Sequence, residues 1–267
     1  MALEPRVKAP NRLERFVRIL ATGFCFLTFG CAGVSMWFIF YPYLKLRYWG
    51  DREGQRIAAR GIVRWWFGTF IELMRVVGVL DYEIRGLEKL QRPGLLILAN
   101  HPSLIDVVFI GSLLPRFAAV VRGNLMKNPF LNGPITAAGY VTNDQGPGLV
   151  EGCNTALAAG DDVVIFPQGT RTPESGEVKF HRGAANIAIR GRHPITPVVI
   201  TCTPRGLARY QRWYQVPSRR MHFVINVHDD LQVDPFLESG VSEALAVRKL
   251  NHHLEQFFEQ ESGRAAP

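Results

Sequence analysis

From Ile19 to Leu44 the chain runs for 26 residues without a charged side chain, through Phe24, Phe26, Leu27, Phe29, Trp37, Phe38, Ile39 and Phe40. A helix needs roughly 20 apolar residues to cross the hydrocarbon core of a bilayer, so the run is long enough. A core helix of a soluble protein rarely stays apolar on every face for so long, and a secretory leader has a shorter apolar stretch and a small-residue cleavage site. The flanks suit an anchor: Arg12, Arg15 and Arg18 precede the run, and Tyr41, Tyr43, Lys45, Arg47, Tyr48 and Trp49 follow it. Such rings and cations sit at headgroup depth. Arginine and lysine number five in residues 2–18 and six in residues 45–64, too even a balance to set orientation. Two arrangements are open, a span and a re-entrant hairpin bent near Gly30 and Gly33, the second only if its turn is shielded from lipid.

The stretch from Gly61 to Leu80 places Ile62, Trp66, Phe70, Leu73 and Val77 at helical spacing, with Arg64, Glu72 and Arg75 between them. It reads as an amphipathic helix that either packs its apolar face on the main domain or lies in the membrane interface. The chain therefore divides into a basic segment (1–18), a transmembrane or re-entrant segment (19–44), a basic and aromatic interfacial helix (45–80), a main domain (81–260) and a tail (261–267). With 47% hydrophobic and 20% charged residues the composition supports a packed core and excludes wholesale disorder. The net charge of +8 points to anionic partners, without choosing among phospholipid headgroups, acidic proteins, phosphorylated substrates and nucleic acid. Cys25, Cys31, Cys153 and Cys202 are scattered, with no CxxC pair, which argues against a disulfide framework or a structural metal site.

Beyond Asp81 short apolar runs alternate with longer mixed stretches, the texture of an α/β domain. Strands are expected at Leu95–Ala99, Phe117–Val121, Tyr140–Thr142, Val163–Phe166, Ile195–Ile200 and Met221–Val227. Helices are expected at Ser103–Leu114, Val150–Ala159, Ala184–Arg190 and Ser242–Glu259. Gly160 and Gly191 stand just after two of these helices, where a stop signal belongs.

Two turns carry candidate chemistry. The first, Asn100-His101-Pro102-Ser103-Leu104-Ile105-Asp106, leaves the strand LLILA at the end where α/β folds place their ligands. Asp106 can fold back one helical turn to hold the His101 imidazole, fixing its tautomer and leaving the other ring nitrogen to take a proton. A blander reading makes Ser103 and Asp106 a capping box, and the two are compatible because one carboxylate has two oxygens. The second turn, Phe166-Pro167-Gln168-Gly169-Thr170-Arg171, follows the strand VVI. Its glycine permits close approach of the backbone to a ligand, and its arginine offers a planar fork to a phosphate or carboxylate. Alone, each turn is also compatible with an ordinary loop.

Together, in this order, the two turns resemble the signature of the glycerolipid acyltransferases typified by 1-acylglycerol-3-phosphate acyltransferase: histidine, four residues, aspartate, then a Phe-Pro-Glu-Gly-Thr-Arg block. The resemblance runs from about Leu95 to Ile200 and includes the segment from Arg122 through Lys127 to Phe130, the segment Phe180 to Ala184, and the proline-containing strand Ile195–Ile200. It implies a single domain with a central mixed sheet flanked by helices, and acyl transfer from acyl-coenzyme A or acyl carrier protein to a lipid hydroxyl. In it His101 is the general base, Asp106 orients it, and Arg122, Lys127, Gln168, Gly169, Thr170 and Arg171 bind the acceptor. It implies no metal and no cofactor beyond the thioester donor. Direct attack on the thioester fits the residues, since no GxSxG elbow is present and Ser103 reads as a helix cap.

This chain departs from the family pattern twice. Gln168 replaces the usual glutamate, keeping shape and hydrogen bonding but losing a charge. The strand after Pro129 usually ends in an arginine for the acceptor phosphate, whereas here Gly139 leads to Asn143 and Asp144, and a carboxylate beside phosphate is repulsive. The stretch from Asn128 through Asn143 and Asp144, with Phe180 to Ala188 and Trp213 to Pro217, is also similar to acyltransferases of bacterial aryl-polyene and related pigment clusters, which implies a carrier-protein donor, a non-phosphate lipid acceptor and a place on the cytoplasmic face of the bacterial inner membrane. A non-catalytic lipid-binding scaffold is the alternative from another class. Residues 203–220 interleave Arg205, Arg209, Arg212, Arg219 and Arg220 with Tyr210, Trp213 and Tyr214. Without a nucleic-acid motif this mix suits lipid headgroups, an acidic carrier protein or plain solvent, and no nucleic-acid partner is expected.

Overall fold

The computed structural model describes residues 12–121, 123–142, 148–173, 179–237 and 240–264. The charge-free run forms helix α1 (Arg12–Ser35), which continues through a π-helical stretch (Met36–Phe40) into α2 (Tyr41–Arg47). Gly30 and Gly33 lie inside α1, so the hairpin bent at those glycines does not form; glycine in a helix costs only about 1 kcal/mol, and nothing there forces a turn. The irregularity begins at Met36, three residues past Gly33, and has a chemical cause. Pro42 has no N–H and its ring crowds the carbonyl four residues back, so the ladder widens before it, the Tyr41 N–H donating to Met36 O.

The chain reverses at Tyr48–Gly50 and enters α3 (Arg52–Val76), whose N-terminus is capped by Asp51 accepting the Gly54 N–H at 2.8 Å. The buried stripe of α3 is Val63, Phe70, Ile71 and Met74, one residue off the expected stripe of which only Phe70 is fully buried. It packs on the main domain, at a crossing with α4 (Asp106–Leu113) where a β-carbon on Gly111 would lie 2.7 Å from the Phe67 ring. Phe29 of α1 reaches both Phe67 and Phe70, at ring separations of 6.2 and 4.9 Å. α5 (Pro129–Ala138) meets the N-terminal helix at Gly133, beside the backbone of Trp37.

Seven strands form one sheet, in the order β1-β7-β6-β2-β5-β3-β4. They are β1 (Leu80–Arg85), β2 (Leu96–Ala99), β3 (Phe117–Val121), β4 (Val141–Thr142), β5 (Asp162–Ile165), β6 (Ile195–Thr203) and β7 (Met221–Val227). All neighbours pair in parallel except β6 with β7. β2 and β5 are buried at every residue, as expected of a sheet covered on both faces. Ile97 and Ala99 face a core shared with α3 and α4 (Phe70, Met74, Phe109). Leu96 and Leu98 face the other, shared with α6 (Gly148–Ala158), α7 (Gly183–Gly191) and α8 (Glu243–Arg264) through Leu157, Ile187, Leu250 and Phe258. β1 and α5 were not expected from the sequence; β1 alternates Leu80, Tyr82 and Ile84 but is an edge strand held by β7, which lies far away in the chain.

At the edge where β3 and β5 begin, buried Asp161 pairs with Arg60 Nη1 at 2.6 Å and with Arg56 and Arg116 at 3.2 Å. Arg60, 2% exposed, also donates from Nε to Ala138 O at 2.9 Å, so one ion cluster fastens α3 to the sheet and to the end of α5.

Candidate active site

The parallel register of β2 with β5 and with β6, Leu98 opposite both Ile165 and Pro197, brings the carboxyl ends of these strands to the same edge of the sheet. The Asn100–Asp106 turn leaves β2, the Phe166–Arg171 turn leaves β5, and residues 204–220 leave β6. Two motifs separated by more than sixty positions are thereby neighbours. As β2 ends, the Asn100 side chain takes over from the backbone: its amide donates to Ile200 O at 2.8 Å and its carbonyl accepts the Ile200 N–H at 2.7 Å. These two bonds carry the pairing of β2 with β6 one residue further as the chain peels away toward His101.

His101 Nδ1 lies 2.8 Å from Asp106 Oδ2. A carboxylate accepts, so this contact puts a proton on Nδ1 and leaves Nε2 with its lone pair. Among the described residues no group hydrogen-bonds Nε2, and the ring, its side chain 15% exposed, rests against Phe166 at 4.6 Å. Asp106 is fully buried and otherwise satisfied, Oδ2 accepting the Ser103 N–H at 2.7 Å and Oδ1 the Ser103 hydroxyl at 2.6 Å. The local cap and the histidine contact therefore coexist, although Oδ2 serves both. The capping box is incomplete: the helix begins at Asp106, one turn later than Ser103 suggested, and the Ser103 hydroxyl accepts the Ile105 N–H instead of that of Asp106.

The second motif is stitched to the first. The Gln168 side-chain oxygen accepts the His101 N–H at 3.2 Å and the Thr172 hydroxyl at 2.9 Å, and the Thr172 N–H donates to His101 O at 2.7 Å. Gln168 is 7% exposed, so this side chain acts as an internal brace between the two turns. Gly169 takes φ of +63°, a conformation that suits glycine, and its N–H closes the turn on Phe166 O at 2.9 Å. Thr170 is half-buried at the next position.

Arg171 Nη1 donates to the carbonyls of Leu207 and Ala208, at 2.9 and 2.8 Å. Burial lowers its pKa from the ordinary guanidinium value; the Asp106 carboxylate opposes that shift and the Arg209 charge adds to it. Arg171 thus faces the field of the same carboxylate that holds His101. Lys127 ends a 3₁₀ turn (Gly123–Lys127) after β3 and is exposed. Arg122, like Asn143 and Asp144, lies outside the described residues. The brace made by Asn100 and the two carbonyls on Arg171 were not foreseen. An asparagine closing an apolar strand was the visible signal for the first; the second has no local signal.

Residues 81–201 match a family model described as Acyltransferase. The chain is 29% identical over 149 residues to the 1-acyl-sn-glycerol-3-phosphate acyltransferase of Pseudomonas aeruginosa, covering 54% of this chain and 58% of that protein. It is likewise 29% identical over 143 residues to the enzyme of that name from Saccharomyces cerevisiae, covering 50% and 47%. The chain therefore spans about half the length of these curated relatives. The crystal structure of the 1-acyl-sn-glycerophosphate acyltransferase from Thermotoga maritima superposes with a TM-score of 0.64 over 96% of this chain and 99% of that one, at 20% identity, which establishes the shared fold. Both motifs, His101 to Asp106 and Phe166 to Arg171, thus lie inside the stretch that is similar in sequence to the acyltransferase family.

Proposed function

We propose that the protein is a membrane-associated O-acyltransferase that moves an acyl group from a thioester, acyl-coenzyme A or acyl carrier protein, to the free hydroxyl of a 1-acyl-glycerol-3-phosphate-like lipid. The observation that carries this reading is the 2.8 Å contact between His101 Nδ1 and Asp106, which leaves Nε2 as a base on an open edge of the sheet. In the reaction His101 Nε2 takes the proton of the acceptor hydroxyl as its oxygen attacks the thioester carbonyl. The carbon–sulfur bond then breaks, the leaving thiolate takes up the proton from the imidazolium, and ester and free thiol result. Asp106 stabilises the imidazolium between these steps. Arg171, with Gly169, Thr170, Lys127 and Arg122, supplies the surroundings of the acceptor's anionic head, and Gln168 keeps His101 and the Arg171 turn in register. The P. aeruginosa relative's name supports this acceptor.

Membrane association rests on the helix from Arg12 to Arg47, long and apolar enough to cross a bilayer, with only 22% of its most apolar stretch buried by the rest of the protein. Leu20, Phe24, Leu27, Phe38 and Ile39 are more than half exposed along it. A bacterial inner-membrane location with the domain on the cytoplasmic face fits a cytosolic thioester donor. The substitution of the usual arginine by the Gly139–Asp144 sequence favours a second acceptor, a lipid hydroxyl without phosphate. Membranes containing the protein, and His101→Ala membranes as the blank, are to be supplied with either donor and with lysophosphatidate or a total lipid extract. Histidine-dependent phosphatidate supports the first reading, a histidine-dependent product from another lipid the second, and equal product in both membranes refutes the role of His101.

A further inference from the structure

Residues 204–220 contain five arginines and no acidic residue. Among the described residues no carboxylate pairs with Arg209, Arg212, Arg219 or Arg220, and two of these lie over aromatic rings of the same segment, Arg209 on Tyr210 at 4.8 Å and Arg212 on Tyr214 at 5.9 Å. The rings themselves face outward: Tyr210 is 83%, Trp213 47% and Tyr214 39% exposed. Guanidinium groups and amphipathic rings held together at a surface suit a boundary that is charged on one side and apolar on the other. At the boundary between lipid headgroups and hydrocarbon, each ring buries its apolar body and each cation meets phosphate.

The position of the segment matches that boundary. Trp213 sits on α1 at Gly23, where a β-carbon would lie 3.1 Å from the indole, and Arg18 Nη1 donates to Pro217 O at 3.3 Å. Both contacts fall where the charged start of α1 gives way to its apolar run, beside exposed Phe16, Leu20 and Phe24. The other end of the segment reaches the active site. Leu207 O accepts from Arg171 and also from the Leu104 N–H at 3.0 Å, and Ala208 O holds Arg171 as well.

We propose that residues 204–220 are a binding surface for anionic phospholipid headgroups, and that their seating on the bilayer holds Arg171 in the position from which it meets the acceptor. The inference builds on the membrane and acceptor assignments above. Lipid, in place of an acidic carrier protein, is the occupant because the surface is continuous with the exposed apolar face of α1. The segment is thus a positioning element, one end reading membrane charge and the other fixing a guanidinium group.

The test uses the full chain with Tyr210→Cys labelled by an environment-sensitive fluorophore in a Cys31→Ser background, the other cysteines being buried. The protein is reconstituted in vesicles of phosphatidylcholine, with or without phosphatidylglycerol. In anionic vesicles the emission is expected to shift to the blue, to be quenched by shallow nitroxide lipids and to be shielded from an aqueous quencher; in neutral vesicles the label stays accessible. Arg212→Gln/Arg219→Gln/Arg220→Gln is expected to reverse the shielding, headgroup attraction falling about fivefold for each arginine removed. The same variant is expected to raise the acceptor KM on anionic vesicles to the value found on neutral ones. Equal accessibility in both vesicle types overturns the proposal, as does shielding that appears only when acyl carrier protein is added, or a KM that rises equally on both. The fluorescence arm needs no turnover, so absence of activity bears on the proposed reaction and leaves the headgroup surface to be judged by shielding alone.

Discussion

Asp106→Asn separates the charge of the carboxylate from its geometry. The asparagine oxygen can stay where Oδ2 now is, 2.7 Å from the Ser103 N–H and 2.8 Å from His101 Nδ1, while its amide turns toward the Ser103 hydroxyl, an acceptor as well as a donor. The turn therefore keeps its bonds and the imidazole its tautomer, and the melting temperature is expected to change little. What disappears is the attraction between carboxylate and imidazolium once the acceptor proton has moved. A pair of unit charges about 4 Å apart at an effective dielectric constant of about 20 is worth about 4 kcal/mol. The neutral hydrogen bond that asparagine retains returns about 1 kcal/mol. The barrier should therefore rise by about 3 kcal/mol, a loss of roughly 150-fold in kcat. The assay is the initial rate of phosphatidate formation at saturating acceptor, with thermal unfolding of the same preparations. A loss below about tenfold with unchanged melting refutes the argument that Asp106 acts through its charge.

Arg171→Ala should raise the acceptor KM about 10- to 150-fold, the worth of one charge-assisted contact of about 1.5–3 kcal/mol, and an unchanged KM in steady-state kinetics would remove it from the acceptor site. Asp161→Ala leaves the Arg60 guanidinium buried without its counter-ion and should cost about 3–5 kcal/mol, or roughly 10 °C in the melting temperature. Arg60→Met combined with Asp161→Leu should recover most of that loss, since Arg56 and Arg116 keep Glu53 as a partner; a double variant no more stable than Asp161→Ala would contradict this. Burial lowers the pKa of His193 and, as its largest cause, that of His228, so the unfolded chain binds more protons than the folded one just below pH 6.5. Their stabilising contribution is complete above that pH and lost as pH falls toward the lowered values; chemical denaturation should show stability declining from pH 7 to 5, less steeply in His193→Gln.

Much of the sheet was readable because its central strands are short apolar runs with polar, glycine- or proline-marked ends. β3 and β7 stand at the expected residues, and β2, β4, β5 and β6 within a few. β1 was missed because its pattern, LDYEIR, carries three charges and makes sense only as an edge strand beside β7. α5 was missed because Pro129-Phe-Leu-Asn-Gly-Pro reads as a turn; its glycine is instead a contact point for the N-terminal helix at Trp37. The stripe on α3 was misjudged by one position because burial there is set by two surfaces, α4 on one side and the ion cluster at Asp161 on the other, and a single-face pattern describes neither.

By itself the sequence determined that residues 19–44 are uncharged over a length that can cross a bilayer; that they run as helix through Gly30 and Gly33 was decided by the structure. It also put the histidine and aspartate of the Asn100–Asp106 turn, five positions apart, within local reach of one another, a contact the structure then makes at 2.8 Å. Only the tertiary structure decided that this turn and the Arg171 turn are neighbours, because parallel pairing of β2 with β5 aligns their carboxyl ends and no local signal encodes strand order. The tertiary structure likewise decided that Arg171 is gripped by carbonyls 36 and 37 residues away, on a segment that also leans on the N-terminal helix. Backbone carbonyls are present at every position of any chain, so which two of them meet a given arginine is settled by packing alone.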